Sequence, residues 1–360
     1  MNIVFITPSI GYGGASKMLT YVANQLCSRG HSISIINLNI TARGVAQKVN
    51  DNIKIYDVEG KKNGLKKLQC VNEIVKIAKQ EKADLLVGFT LFPNVYACLA
   101  AKRLGIPSII SERGDPYQTT GKDLVYKLFI WIINRSKGGV FQTGGARDFY
   151  GKGLQRRGVV IPNPIFIKGE IPAVAHEDRE KTVVSVGRLD NYQKRYDVML
   201  QAFKLFSQKH PEYILKLYGD GSDVELIRSW TEELNIADRV RFMGLTKQPM
   251  QDIAGDGMFL ITSDFEGISN SLLEAMAAGL PCVSTDHTPG GARLLITDHE
   301  NGLLAPVANT QKLADAMCEF ADDPLLAWRC AERAKDVIDR FDENRIIDQW
   351  ESYCKKLVEG

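Results

Sequence analysis

Short runs of β-branched and apolar residues alternate with longer amphipathic stretches along the whole chain. The first run, residues 2–7 (NIVFIT), has no polar alternation, the signature of a parallel strand buried on both faces. Residues 16–28 then carry apolar positions at helical spacing. Further strands are predicted at 32–37, 53–58, 83–88 and 107–111, with helices over 64–82 and 94–104. Such alternation places helices on both faces of a parallel sheet. It breaks at 162–181, where Pro162, Pro164 and Pro172 stand among many charges, and this stretch reads as a linker. It restarts with strands at 182–186, 213–218, 239–243, 258–262 and 281–285, and a last helix covers 343–358.

The pattern predicts an α/β protein of two doubly wound, Rossmann-like domains, 1–165 and 166–342, with helix 343–360 joined to the first. A single (β/α)8 barrel is the alternative. The proline-rich break and more than eight strand candidates count against it.

Composition narrows the class without changing the fold. At 44% hydrophobic and 24% charged residues the chain is neither collagen-like, coiled-coil nor disordered. Its net charge of +2 conceals a division. Residues 1–165 hold 23 Lys and Arg against 10 Asp and Glu, whereas 166–360 hold 22 against 33. A basic half joined to an acidic half implies two domains with different partners. The seven cysteines form no CxxC and the five histidines are dispersed, which fits reduced thiols and leaves no visible metal site. The N-terminal MNIVFITPSIG lacks the features of a signal peptide. The longest apolar run, Leu124–Ile133, is interrupted by Lys127 and falls short of the roughly 20 residues that span a bilayer. A cytoplasmic location is expected.

Three stretches carry chemistry. After the first strand, Gly11, Gly13 and Gly14 precede a helix, where backbone N–H groups can approach an anion. Position 16 is Ser, so no dinucleotide fingerprint is completed, and a tight turn explains the glycines equally well. In the second half, Gly187 ends a strand and is followed by Arg188 and Lys194, two cations at the carboxyl edge of a sheet that suit a diphosphate; a solvated loop is the plainer reading. The third stretch runs from Asp264 and Glu266 through Asn270 and Ser271 to Glu274, Gly279 and Pro281. A helix starting around 269–271 would aim N–H groups at a phosphate, and two carboxylates could each accept bonds from sugar hydroxyls. Ser271-x-x-Glu274 is also a capping box, in which Glu274 merely satisfies the helix start. Capping leaves Glu266 and the later Pro289-Gly290-Gly291-Ala292 loop unexplained.

Taken together, Gly13-Gly14, Gly187-Arg188…Lys194, Glu266-x7-Glu274-Ala-Met-Ala and Pro289-Gly-Gly-Ala resemble the retaining glycosyltransferases of family 4, in order and over essentially the whole chain. The resemblance implies the GT-B fold, two facing Rossmann-like domains with the active site between them. It implies a nucleotide-sugar donor, UDP- more than GDP-activated, held mainly by the C-terminal domain. Arg188 and Lys194 match the pair that binds the donor diphosphate and stabilises the leaving nucleotide. Glu266 matches the glutamate beside the donor sugar and Glu274 the one on the ribose. Asn270, Ser271 and Leu272 match the phosphate-binding helix start, and the backbone of 243–246, beginning at Met243, the nucleobase reader. Gly13 and Gly14, with Gly187, match loops around the donor phosphates. Many relatives place a histidine after the fourth or fifth N-domain strand. Here Glu112, Arg113 and Asp115 stand on that acceptor side, with Arg113 in the slot.

The implied reaction is transfer of a hexose or N-acetylhexosamine with retention, forming an α-linkage. A covalent double displacement needs a carboxylate nucleophile; a same-face route needs only a stabilised diphosphate, which the Arg/Lys pair favours. No Asp-x-Asp occurs, so neither cofactor nor metal is expected. The acceptor belongs to the basic half. A basic cluster at 60–67 opens one amphipathic helix, and 122–137 has basic ends around the apolar run. Leu124–Ile133 taken alone reads as a buried helix. The +13 of the half favours instead a peripheral membrane surface and a glycan or polyprenyl-diphosphate-linked acceptor of surface polysaccharide synthesis. Nucleic acid is not an expected partner, since neither stacking platforms nor groove-reading helices are evident. A nucleotide-sugar epimerase of the same fold and a non-catalytic sugar- or nucleotide-binding module are the competing functions.

Overall fold

A computed structural model describes residues 1–11, 14–38, 48–58, 64–118 and 123–360, with backbone alone at 64–68. It divides into two compact units, Met1–Asn163 with Glu343–Gly360, and Pro164–Asp342. The break falls two residues before the one placed from the sequence.

In the first unit the strands are β1 (Asn2–Thr7), β2 (Ser32–Asn37), β3 (Lys54–Asp57), β4 (Leu85–Phe89), β5 (Ser108–Glu112), β6 (Gly138–Phe141) and β7 (Val159–Val160). They pair in the order β3-β2-β1-β4-β5-β6-β7, every ladder parallel. β1, β2, β4 and β5 are almost wholly buried, as uninterrupted apolar runs require. One helical layer packs Val71, Ile74, Ala97 and Ala101 on one face, and Val95, Ile133, Tyr150 and Leu154 gather on another.

The second unit repeats the plan with β8 (Thr182–Val186), β9 (Ile214–Tyr218), β10 (Val240–Gly244), β11 (Met258–Ile261), β12 (Cys282–Thr285) and β13 (Leu303–Ala305), ordered β10-β9-β8-β11-β12-β13 and again parallel. Both sheets are open, which excludes the barrel. β6, β7 and β13 were not expected from the sequence. They are two to four residues long, and Gly138-Gly139 and Leu303-Leu304-Ala305 carry little strand preference.

The terminal helix Glu343–Glu359 is held by the first unit. Trp350 is fully buried and stacks on Phe89 at 5.9 Å, Tyr353 Oη accepts from Gly139 N at 3.0 Å, and Arg29 pairs with Asp348 and Glu351 at 2.6 and 2.7 Å.

The helix Leu124–Ile133 corrects the buried reading. Only Ile133 is buried, while Leu124, Val125, Leu128 and Trp131 are 83, 53, 51 and 54% exposed. A helix apolar on every side has more surface than one sheet can cover, and the remainder faces outward. No helix among the described residues is long and apolar enough to cross a membrane.

Candidate active site

In each sheet the strand order reverses between two neighbouring strands, β1 and β4 in the first and β8 and β11 in the second. The loops leaving such a pair diverge to opposite faces and open a crevice at the carboxyl edge, the usual ligand position in open α/β sheets.

At the β8/β11 point the loops are laced together. Gln193 donates to Phe265 O at 3.0 Å, Asp264 N donates to Gln193 O at 3.1 Å, and Thr262 Oγ1 donates to Lys194 O at 2.9 Å. Arg195, in the left-handed region at φ 54°, forks onto Asp197 at 3.0 Å and reaches Asp264 at 2.6 Å. On the other side Thr285 Oγ1 donates to Ser263 O at 2.6 Å, and Glu266 N donates to Thr288 O at 2.9 Å. Two glycines permit this closeness. A Cβ on Gly291 would stand 1.7 Å from Gly267 O, and one on Gly219 1.8 Å from Gly187 O.

Within this frame Lys194 Nζ donates to Glu266 Oε1, which also accepts from Ser263 Oγ at 2.8 Å. Both side chains are largely buried, at 15 and 8% exposed. Burial by itself would raise the Glu266 pKa, but Lys194 and Ser263 bring it below the ordinary carboxylate range. The aliphatic end of Lys194 lies over Gly187, whose Cβ would be 3.4 Å from Cε, so a larger residue at 187 would press on the lysine. The result is an ion pair between residues 72 apart in sequence, set at the mouth of the switch point.

The two cations expected as a pair, Arg188 and Lys194, have different surroundings. Lys194 is committed to Glu266, and Arg188 stands exposed, with Asp190 at 3.6 Å and Gln193 at 3.5 Å as its partners among the described residues. The Arg188 guanidinium faces solution, 65% exposed.

The helix start also differs from expectation. The helix is Asn270–Ala277, and its cap is Ser269, whose Oγ accepts from Leu272 N at 3.4 Å. The Ser271-x-x-Glu274 capping box is therefore not formed, and Glu274 lies in the second turn. The Leu272 side chain is fully buried in the core and its N–H serves the cap. Asn270 and Ser271 remain at the helix mouth, with Ser271 Oγ 3.2 Å from Ser269 Oγ. Met243 sits at the carboxyl end of β10, half exposed, where Gly244 O accepts from Gly219 N at 2.8 Å.

His287 was missed from the sequence. It is buried between strand β12 and the Gly291 turn, its Cε1 3.2 Å from a Cβ built there, and neither ring nitrogen has a hydrogen-bond partner among the described residues. Burial pulls its pKa below the usual histidine value against the pull of Glu266, so the ring is neutral. A histidine two residues past the end of β12, in the turn before Pro289-Gly290-Gly291, was the available signal.

The first unit's edge is different. Gly13 lies outside the described residues, and Gly14 is the first residue of the helix Gly14–Ser28 rather than part of a loop. Glu112, expected on the acceptor side, is spent inside its own loop. One oxygen accepts from Arg113 N at 3.0 Å and Gly114 N at 3.3 Å, the other from Tyr150 Oη at 2.7 Å, and burial raises its pKa. Asp115 Oδ1 closes a turn on Tyr117 N at 2.9 Å. Arg113 lies between the rings of Phe89 and Trp350, 5.4 and 5.3 Å from their centroids, and donates to Ser111 Oγ at 2.8 Å. Its Nη2 is out of solvent without a partner. Burial lowers its pKa to about 9, which leaves it charged at neutral pH. The basic cluster at 60–63 and Lys122 are outside the described residues, as are the side chains of Lys66 and Lys67.

Comparison with known proteins agrees with this arrangement. Residues 12–167 match the glycosyltransferase family 4 domain and residues 167–337 the glycosyl transferases group 1 domain. The lipopolysaccharide 1,6-galactosyltransferase of Escherichia coli is 36% identical over 257 residues, 67% of either chain. An uncharacterized glycosyltransferase of Haemophilus influenzae is 24% identical over 97% of this chain and 98% of its own. Among solved structures, Anabaena HepE in complex with UDP superposes with a TM-score of 0.83 at 20% identity, covering 99% of this chain and 100% of that one. Two parallel Rossmann-like sheets, the laced β8/β11 edge and these matches place the chain in family 4 of the glycosyltransferases, as a hexosyltransferase of the GT-B fold.

Proposed function

We propose that the enzyme transfers a hexose or N-acetylhexosamine, with retention, from a UDP-sugar to a lipid-linked glycan acceptor. The observation that carries this reading is the buried Lys194–Glu266 pair at the β8/β11 switch point, with exposed Arg188 on the same loop. The names of the E. coli relative and of the UDP complex support the acceptor and donor classes respectively.

Glu266 orients Lys194, while its second oxygen accepts from a sugar hydroxyl. Lys194 and Arg188 meet the diphosphate. As the anomeric C–O bond breaks, its electron pair moves onto the departing phosphate oxygen, where the two cations stabilise it. The acceptor hydroxyl adds from the same face and gives its proton to that oxygen, leaving an α-glycoside and UDP. Glu266 is tied down by Lys194 and Ser263, which suits positioning better than nucleophilic attack. The cations supply the charge a metal would, so transfer is metal-independent. The acceptor is met on the first unit, by Arg113, with the exposed face of the helix Leu124–Ile133 on an anionic membrane surface.

The test is to incubate the protein with a panel of UDP- and GDP-sugars and follow nucleotide release with and without EDTA. Slow hydrolysis of one UDP-sugar, unchanged by EDTA, is expected. Activity abolished by EDTA and restored by manganese overturns the metal-independent route. An epimerised nucleotide sugar without free UDP overturns transfer itself.

A further inference from the structure

At the amino ends of β5, β6 and β7, the edge of the first sheet away from Glu112 and Arg113, lies a cavity of about 920 Å³ that no part of the proposed reaction uses. Its depth below the carboxyl edge is the length of β5, roughly 15 Å. Six cations line it: Lys102, Arg135, Lys137, Arg156, Arg157 and Lys356. No Asp or Glu does. None of the six pairs with a carboxylate among the described residues. Arg135 and Arg157 are fixed by backbone carbonyls, the first on Trp131 O at 2.8 Å, the second on Asn134 O and Ser136 O at 3.0 Å. Lys102, Lys137, Arg156 and Lys356 have no hydrogen-bond partner among the described residues. Six cations with no Asp or Glu among them repel one another, and an anion that joins them relieves that repulsion.

Much of the remaining wall is apolar, from Leu99, Ile106, Ile132 and Leu357, with Ser108, Tyr353 and Gly360 between them. Trp131 belongs to both surfaces. It lines the cavity, with the Arg135 guanidinium over its ring, and it ends the exposed stripe of Leu124, Leu128 and Trp131. That stripe runs down the helix from the carboxyl edge to the cavity mouth. A multiply cationic pocket with greasy walls, opening from an exposed apolar helix, fits an acidic head carrying hydrocarbon and not a bare anion.

We infer that this cavity binds the phosphate headgroup and upper acyl chain of an anionic membrane phospholipid. The inference deepens the membrane-surface reading and rests on it for how the lipid is delivered. It makes the contact lipid-specific, and it places the specific site on the opposite edge from the acceptor-side residues.

The full-length protein is titrated calorimetrically with dihexanoyl-phosphatidylglycerol below its micelle concentration, with dihexanoyl-phosphatidylcholine and with inorganic phosphate. Saturable binding of the phosphatidylglycerol alone is expected. Lys102→Glu with Arg156→Glu and Lys356→Glu should weaken it by at least about a hundredfold, and the milder Lys102→Gln with Lys356→Gln by about fivefold for each cation removed. Circular dichroism confirms that each variant is folded. Leu124→Asp with Leu128→Asp should abolish sedimentation with phosphatidylglycerol vesicles yet leave dihexanoyl-phosphatidylglycerol binding intact. Phosphatidylglycerol binding that is absent, unchanged in both charge variants, or matched by inorganic phosphate overturns the inference. Wild-type protein that binds the short lipid but ignores vesicles overturns the membrane reading and leaves the cavity assignment standing.

Discussion

The carboxyl edges of the two sheets hold buried charge in contrasting ways. At the second, Lys194 and Glu266 neutralise each other and a ring of hydroxyl and amide bonds locks them. At the first, Arg113 has no carboxylate within ion-pair distance among the described residues; two aromatic faces, Ser111 and Asn163 hold it, and Glu112 accepts from the neighbouring N–H groups and Tyr150. A neutral pair can redistribute its bonds when a charged donor arrives and departs. A lone guanidinium on π faces projects a fixed positive field. The contrast extends to whole units. Residues 1–163 with 343–360 hold 26 Lys and Arg against 14 Asp and Glu, and 164–342 hold 19 against 29. On the proposed reading, the acidic unit builds its donor site from local cations, whereas the basic unit attracts an anionic partner over its whole surface.

The largest effects should come from splitting the neutral pair. Glu266→Ala leaves a buried ammonium without its partner and should destabilise the second unit by about 3–5 kcal/mol. Glu266→Gln retains a hydrogen bond, so it should stay folded while nucleotide release falls about 10²–10³-fold. Adding Lys194→Met to Glu266→Leu should recover stability but not turnover, which thermal melts and a nucleotide-release assay would separate. Equal activity in Glu266→Gln and wild type would remove the pair from the reaction.

Trp350→Ala addresses the other side of the comparison. The indole is fully buried against Phe89 and beneath Arg113, so its loss should cost about 3–5 kcal/mol in the first unit. Because the terminal helix belongs to that unit, UDP should still bind the variant with near wild-type affinity. Loss of UDP binding in a folded variant would mean that the terminal helix serves both units.

How much of this was legible beforehand depended on sequence distance. Strands such as β1, β2 and β8 declared themselves because a strand buried on both faces must be apolar throughout. Glu266 and Glu274 stood out by their spacing. Their roles at the helix start did not, because Ser269 and Ser271 are both plausible caps and only backbone geometry selects Ser269. The Lys194–Glu266 bond joins loops after different strands, and nothing local to either residue announces it. The face of Leu124–Ile133 left uncovered depends on what packs beneath it, which no periodicity reveals.

Acid should act on the first unit through Glu351. Hydrogen bonds from Lys355, Arg29 and His31 hold its pKa at about 2. A carboxylate depressed in the folded state stabilises it above the ordinary value of about 4 and loses that contribution as pH falls toward 2. The terminal helix should thus loosen over that interval. Glu351→Gln should flatten the response there and lower stability modestly at neutral pH, read by hydrogen exchange of residues 343–359.

The smallest effect expected is at His287, the second unit's counterpart to Arg113 in carrying buried nitrogen without a partner. The two differ in charge: Arg113 stays protonated, while burial keeps the imidazole neutral. A base whose folded pKa is depressed makes the unfolded chain the better proton acceptor, so stability rises with pH through the range just below about 6.5. His287→Gln keeps a polar side chain of similar reach and removes the titration. Its stability should be flat across that range where wild type slopes, with nucleotide release reduced only a few-fold, roughly the worth of one neutral hydrogen bond. An unaltered slope in His287→Gln would assign the acid sensitivity to another group, and a hundredfold loss of turnover would raise His287 to the rank of Glu266.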